Sequence, residues 1–389
     1  MTTALFLAAA SAVWLGYVYL GYPALLWGMS KIRRCDPVTS NSFFPFVSVL
    51  IAARNEEKDI GWKVRETLAW DYPVNRLEVL VASDASDDST DDVLQEVRDS
   101  RFVFVRIRER GGKNAALNRL ARIAKGDLLF FTDANSHILP KALRLMVPYF
   151  ADVRVGCVTG VETSSSGLDT RAVAAGSRAF LDYERIAKSI ESRLGSVLTC
   201  DGAIFCIRRQ LYAELEPELA NDLELPLTIR HAGYWILCEP EARSFEKATH
   251  SAREEFARRR RISAQGILAM WRLRKCLSGA RGIQFASRKL LRWLTLIPFA
   301  TVFISTISLR ASGLFATWLA LYTVFFVLAA AGWIASMLGK NGSRFISFPF
   351  FFLLANSAAA WGIVEACLGR RFRIWEAASL SRGRPDATV

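Results

Sequence analysis

Residues 127–135 read Asp127-Leu128-Leu129-Phe130-Phe131-Thr132-Asp133-Ala134-Asn135, and the fold turns on this stretch. A short apolar run closes on an acid, and a second oxygen donor follows two positions later. In an extended chain, residues i and i+2 point the same way. Asp133 and Asn135 are therefore expected to offer two oxygens to one hard divalent cation, the kind of ion that holds a diphosphate. Taken alone, the same letters also describe an Asx turn that ends a strand.

The neighbouring segments repeat the pattern. Phe46–Ile51 and Leu77–Ala82 are apolar, β-branched runs, and Phe102–Ile107 is a third. Helical stretches are expected between them at Ile60–Leu68, Thr90–Arg98 and Lys113–Ala124. Short strands alternating with helices predict an α/β, Rossmann-like domain with a mostly parallel sheet. Ligands of such sheets bind beyond the carboxyl ends of the strands. Three polar clusters fall at that edge: Arg54-Asn55-Glu56, Asp84 to Asp88, and Asp133-Ala134-Asn135.

Composition adds a second environment. The 389-residue chain is 52% hydrophobic and carries a net charge of +13. Met1–Ser30 is uncharged and ends at Lys31-Ile32-Arg33-Arg34, which predicts a membrane span followed by a cytoplasmic segment. Three further apolar runs lie near Leu294–Leu309, Ala311–Gly339 and Phe345–Val364. Four simple spans from an outside N-terminus would leave the tail Arg370-Arg371-Phe372-Arg373 outside, against its charge. One run is therefore expected to be interfacial or re-entrant, or the first segment not a simple span. Between Arg253 and Arg292, twelve Lys or Arg stand against Glu254 and Glu255. Placed before an apolar run, that block reads as contact with anionic lipid rather than nucleic acid. Ile262–Leu277 reads as an amphipathic interfacial helix. The seven cysteines are scattered and show no Cys-x-x-Cys pair, which excludes a disulfide framework and a zinc site and suits a reducing compartment. His137, His231 and His250 are too dispersed for a metal centre. The expected division is a first span over 1–30, the α/β domain over 46–250, basic interfacial helices over 251–290, apolar helices over 291–368 and a basic tail over 369–389.

In order, the chain carries Ala53-Arg54-Asn55-Glu56-Glu57, Ser83-Asp84-Ala85-Ser86-Asp87-Asp88-Ser89-Thr90, Gly111-Gly112-Lys113-Asn114-Ala115-Ala116-Leu117-Asn118, Thr132-Asp133-Ala134-Asn135, Asn221-Asp222-Leu223-Glu224-Leu225 and Arg258–Arg261. This assembly resembles the family 2 glycosyltransferases of GT-A fold, in the membrane-integrated bacterial branch related to hyaluronan, chitin and cellulose synthases. The resemblance spans about Phe46 to Gly266 and, more loosely, the flanking spans. It implies a UDP-sugar donor held by Ala53, Arg54, Glu56, Asp84, Lys113, Asp133 and Arg258. It implies Mg²⁺ or Mn²⁺ on Asp133 and Asn135, where relatives often carry a second aspartate. Asp222 matches the general base that takes the proton of an acceptor hydroxyl, which is a poor nucleophile until its proton has somewhere to go. Glu224 is the alternative base if the register differs. Asp222 also stands where a helix cap is expected, ahead of a helix over Leu223–His231. Arg261 keeps the arginine of the branch's Gln-x-x-Arg-Trp motif and is expected to clamp the leaving diphosphate. Arg258 and Ile262 replace the Gln and Trp, which removes an aromatic platform for a growing glycan.

These expectations describe an inverting transferase in the bacterial inner membrane. Its catalytic domain is cytoplasmic, and its acceptor is a lipid-linked or glycan molecule drawn from the membrane. Three rivals stand beside it: a processive synthase that extrudes its polymer, a catalytically inactive nucleotide-binding scaffold, and a transporter, which the lack of ionisable residues near the centres of the apolar runs disfavours.

Overall fold

The computed structural model describes residues 2–164, 172–246, 251–338 and 343–372. Its sheet begins with four strands, β1 (Val47–Ala53), β2 (Leu77–Asp84), β3 (Phe102–Ile107) and β4 (Leu128–Asp133). They pair in parallel, in the order β3-β2-β1-β4. β1 and β2 are buried at every position, which is why both read as nearly continuous apolar runs. Alternate side chains of β1 serve opposite layers. Val47, Val49 and Ile51 join Ile60 and Val64 of α3, whereas Leu50 and Ala52 meet Leu117 and Leu120 of α5.

The other half of the sheet is mixed. It contains β5 (His137–Ile138), β6 (Val155–Ser164), β7 (Phe205–Arg208) and β8 (Trp235–Glu246). β7 inserts antiparallel between β4 and β6, β8 runs parallel to β6, and β5 closes the edge. The whole matches the expected mostly parallel α/β architecture, with an antiparallel insertion that alternation alone did not reveal.

The helices in chain order are α1 (Thr2–Gly16), α2 (Tyr22–Ile32), α3 (Ile60–Leu68), α4 (Thr90–Gln95), α5 (Lys113–Ile123), α6 (Ala142–Met146), α7 (Ala172–Arg193), α8 (Asn221–His231), α9 (Ala252–Arg272), α10 (Ala280–Phe285), α11 (Leu291–Trp293), α12 (Leu296–Ser308), α13 (Gly313–Met337) and α14 (Arg344–Cys367). α4 is shorter than the expected Thr90–Arg98. Thr2–Ile32, α13 and α14 are each long and apolar enough to cross a membrane.

The expected run near Leu294–Leu309 is not a simple span. α12 has 13 residues and joins Ala280–Trp293 at a bend of 53°. α14 is also unlike α13. Half of its apolar window is covered by protein. It packs on α9 so closely that a Cβ on Gly362 would strike the Arg260 carbonyl, and on α7 at Gly176, against Phe351. Beyond α14, Arg371 approaches Glu218 of the sheet domain at 3.7 Å. The chain just after α14 therefore sits against the sheet domain. His250 and residues 373–389 lie outside the described residues.

Candidate active site

The strand ends carry the first part of the site. Arg54 leaves β1 and donates to the backbone carbonyls of Asp84 (2.8 Å) and Ala85. Asn55 and Ala85 adopt left-handed backbone (φ +53° and +52°), a conformation that costs a residue with a Cβ of order 1 kcal/mol. Arg54 and the Asn55 side chain, which accepts from the Asp87 N–H at 3.0 Å, hold those two turns together. Glu56 is buried, and its N–H donates to Thr90 Oγ1 at 2.8 Å. Asp88 accepts from the Thr90 N–H at 3.0 Å, at the start of α4. Ala53 is buried in the β1–β2 register opposite Ser83.

Asp84 does something that its letters did not show. Its two carboxylate oxygens accept the N–H groups of Gly111 and Gly112, each at 2.8 Å. Gly112 has φ +87°, a conformation open to glycine and strained for residues with a Cβ. This turn launches α5 at Lys113, whose ammonium meets Asp133 Oδ1 at 2.5 Å. Two other members of the same run reach elsewhere. Asn114 donates to the carbonyls of Glu216 (2.6 Å) and Leu219 (3.0 Å). Asn118 bonds Leu215 through both its amide groups, at 2.9 and 2.8 Å. One helix thus carries both the lysine at the strand edge and the anchors of the loop that leads to Asp222.

β4 ends at Asp133, and Asn135 lies in the turn beyond it. The two-residue strand period therefore does not apply between them. The Asp133 carbonyl accepts from Ser136 Oγ at 2.9 Å, which closes the turn. Among the described residues, no group of three or more His, Cys, Asp or Glu converges on a metal-binding position. Asp133 and Asn135 are nonetheless an all-oxygen pair at a half-open edge. That donor set fits a cation of the Mg²⁺ type, which takes one or two protein ligands and completes its shell with substrate phosphates and water.

Asp222 lies in the first turn of α8, with Ala220 in the capping position, so it does not cap the helix as expected. The helix starts two residues earlier because the Leu223 and Glu224 N–H groups already bond the Ala220 carbonyl. Burial raises the Asp222 carboxyl above the usual aspartate range, and Lys113, Lys289 and Lys188 pull against that shift. Glu224 turns the other way and accepts from the Glu216 N–H at 3.2–3.3 Å. Burial pushes its carboxyl up to about 7.

The four arginines of α9 separate by helical position. Arg258 faces Glu162 of β6 at 3.5 Å. Arg261, one turn on, lies in the field of Asp133 and Asp222 as well as Arg258. Arg259 pairs with Glu255 at 2.7 Å and lies over the Phe180 and Phe351 rings. Arg260 faces Glu365 of α14 at 3.4 Å. Arg258, Arg259 and Arg260 thus each lie beside a carboxylate of the protein, and Arg261 is turned toward Asp133 and Asp222.

Sequence reasoning missed several members. Lys188 of α7 is buried and ion-pairs with Asp201, whose other oxygen accepts from the Glu162 N–H at 3.0 Å. Glu246, at the end of β8, is pushed up to about 8 by burial and by the nearby Glu162 and Asp133 carboxylates. On the same face of α7, Glu184 and Glu191 bind Arg288, and Glu184 also binds Arg292. The spacing of 184, 188 and 191 is one helical face, a signal present in the sequence but masked by the many other charges.

Comparison with known proteins agrees with this geometry. Residues 45–266 match the family model described as "Glycosyltransferase like family 2". The chain is 30% identical over 221 residues to the "Probable glycosyltransferase YdaM" of Bacillus subtilis, covering 52% of this chain and 51% of that one. It is 34% identical over 120 residues to a beta-monoglucosyldiacylglycerol synthase of Synechocystis sp., covering 30% and 25%. It is 24% identical over 208 residues to the poly-beta-1,6-N-acetyl-D-glucosamine synthase of Staphylococcus aureus, covering 50% and 48%. The chain thus spans between a quarter and about half the length of these relatives. The structure superposes on that of the mannosyltransferase PcManGT from Pyrobaculum calidifontis, in complex with GDP-Man and Mn²⁺, with a TM-score of 0.70. That match has 20% identity and covers 92% of this chain and 99% of that one. A mostly parallel sheet with its polar edge at the strand ends, matched by a family model over more than half the chain, makes this protein a member of the family 2 glycosyltransferases, with a GT-A fold.

Proposed function

We propose that the protein transfers a sugar, with inversion, from a UDP-sugar to a lipid-linked or glycan acceptor at the membrane surface. The observation that carries this reading is the convergence of Asp133, Lys113, Asp222 and Arg261 from β4, α5, α8 and α9. In this mechanism Ala53, Arg54, Glu56 and Asp84 shape the nucleotide pocket at the ends of β1 and β2. Lys113, Arg258 and Arg261 provide positive charge for the diphosphate as it leaves. Asp222, ionised, takes the acceptor proton during in-line attack at the anomeric carbon. Its lifted pKa makes it a stronger base than a solvated aspartate. Asp133 and Asn135 would hold Mg²⁺ or Mn²⁺, which supplies charge neutralisation to the diphosphate. PcManGT is bound to GDP-Man, so the uracil assignment rests on the resemblance to the UDP-using branch.

The relatives that make a glycolipid and a polysaccharide support a membrane acceptor. We keep the division at about 30, 46, 250, 290 and 368 as part of this proposal; the sheet between Val47 and Glu246, with apolar helices before and after it, supports it. Three crossings, an odd number, carry the chain from an outside N-terminus to a tail on the cytoplasmic side of the inner membrane. The bend before α12, which leaves that helix too short to span alone, supports that count.

Release of UDP from a panel of UDP-sugars, by detergent-purified protein with Mn²⁺ or Mg²⁺, tests the reading. Metal-dependent release with one donor, lost in Asp222→Asn and Asp133→Ala, is expected. Release from GDP-sugars alone would overturn the uridine assignment, and release from no donor with membrane lipids present would overturn the enzyme mechanism.

A further inference from the structure

A groove of about 550 Å³ opens between the first turn of α9, the second half of α13 and the first half of α14. That volume is within the roughly 300–1,000 Å³ of small-molecule sites. Phe256, Ala330, Trp333 and Leu354 are typical of its wall, and Arg253 is the one charged residue in it. The groove exists because α13 and α14 touch through a small residue: a Cβ on Gly332 would strike the Ile346 carbonyl. Ala330 and Trp333 are exposed, and they lie on a helix apolar enough to cross a membrane. The open side is therefore bathed by hydrocarbon if α13 spans.

Arg253 is out of place by ordinary rules. It sits in the first turn of α9, after the Ser251 cap, where the helix dipole disfavours a cation. It is exposed, unlike Arg259 in the same helix, which is paired within the protein. An exposed guanidinium above an apolar groove complements a phosphate above a hydrocarbon chain. Along the helix axis, Arg253 is about 12 Å from Arg261, eight residues on.

We infer that this groove binds the hydrocarbon chain of an anionic lipid acceptor, with its phosphate on Arg253 and its head group extending toward Asp222. The acceptor role rests on the transferase reading above; the lipid site does not.

The test uses full-length protein in phosphatidylcholine vesicles containing a minor fraction of phosphatidylglycerol with a diazirine-bearing acyl chain. A diacylglycerol with the same photoreactive chain is the uncharged control. Labelling by the anionic probe is expected to concentrate in peptides covering 252–256, 326–333 and 350–357. Ala330→Trp should fill the groove and lower that labelling about tenfold, roughly 1.4 kcal/mol. Leu321→Trp, elsewhere on α13, should not, and equal melting temperatures would confirm that both variants fold. Arg253→Gln should erase the preference for the anionic probe over the uncharged one. Labelling spread evenly over α13, or unchanged in Ala330→Trp, would overturn the site. Transfer to membrane lipid extract is read separately. A raised acceptor KM in Ala330→Trp supports the acceptor role, and an unchanged KM with lost labelling overturns that role alone. Absence of donor turnover in the wild type would count against the transferase reading while the labelling still decides the groove.

Discussion

The two halves of the sheet hold the site by different means. In the parallel half, β1 to β4, the polar groups come from short loops at strand ends, each within a few residues of its strand. They are fixed mainly by backbone bonds, such as Arg54 on the β2 turn and Asp84 on two glycine N–H groups. In the mixed half, with α7 to α9, several groups come from within long helices, such as Glu184, Lys188 and Glu191 of α7 and Arg258 and Arg261 of α9. They are fixed by buried ion pairs between segments about a hundred residues apart, such as Glu184 and Glu191 with Arg288. The first arrangement writes itself into local motifs. The second depends on what tertiary packing places opposite each charge, and it links the site to the membrane helices.

Substitutions sharpen that contrast, and the largest expected effect is chemical. Asp222→Asn should lower transfer by about 100- to 10,000-fold, the range for loss of a positioned base, with an unchanged melting temperature; a fall under tenfold would move the base elsewhere. Next, Glu191→Ala removes one of the two carboxylates on the buried Arg288 guanidinium and leaves Glu184. Breaking a buried pair outright costs about 3–5 kcal/mol, an upper bound here, so thermal melting in detergent should show a less stable protein, and equal stability would mean that Glu184 alone suffices. In the parallel half, Asp84→Ala leaves two N–H groups without their carboxylate, at about 1–3 kcal/mol. It should raise the donor KM about tenfold or more while lowering the melting temperature less than Glu191→Ala does.

The smallest effects concern Glu224. Glu224→Gln should leave turnover within about twofold, since hydrogen bonds of its kind to a loop are worth roughly 1 kcal/mol. A large loss would make Glu224 the base. Burial holds its carboxyl at about 7 in the folded chain, against 4.5 for an ordinary glutamate. Between those values the folded state keeps a proton that the unfolded state has released. Stability is therefore greatest below the lower value and falls as pH rises toward the upper one. Glu224→Gln should flatten that decline in a pH series of melting curves. The rate has the opposite sign. As the proposed base, Asp222 works ionised, so turnover should fall as pH drops through its raised pKa.

Much of the parallel half was legible. Phe102–Ile107 and Ile60–Leu68 were read with the bounds later found, and the β1, β2 and β4 runs began within one residue of theirs. Fully buried strands are apolar runs, and their loops are polar punctuation. The mixed half was not read. β7 has four residues, and its place between β4 and β6 follows from pairing across long stretches of chain. Lys188, Asp201 and Glu246 carry no motif, and their pairing is visible only when α7, β6 and β8 stand together. The arginine run shows the limit most plainly. Four equal letters in a row reach four different surroundings, because successive residues turn by about 100° around a helix.

By itself the sequence determined the α/β class, the family, the polar strand edge and the presence of apolar helices, since each follows from local pattern and composition. Tertiary structure decided the job of each charge. It set Asp84 on the glycine turn, Glu224 on a loop, Arg259 and Arg260 against neighbouring helices and rings, Arg258 beside Glu162, and Arg261 toward Asp133 and Asp222. The physical reason is that a charge buried in protein is costly without a partner, and the partner is chosen by packing between segments distant in the chain.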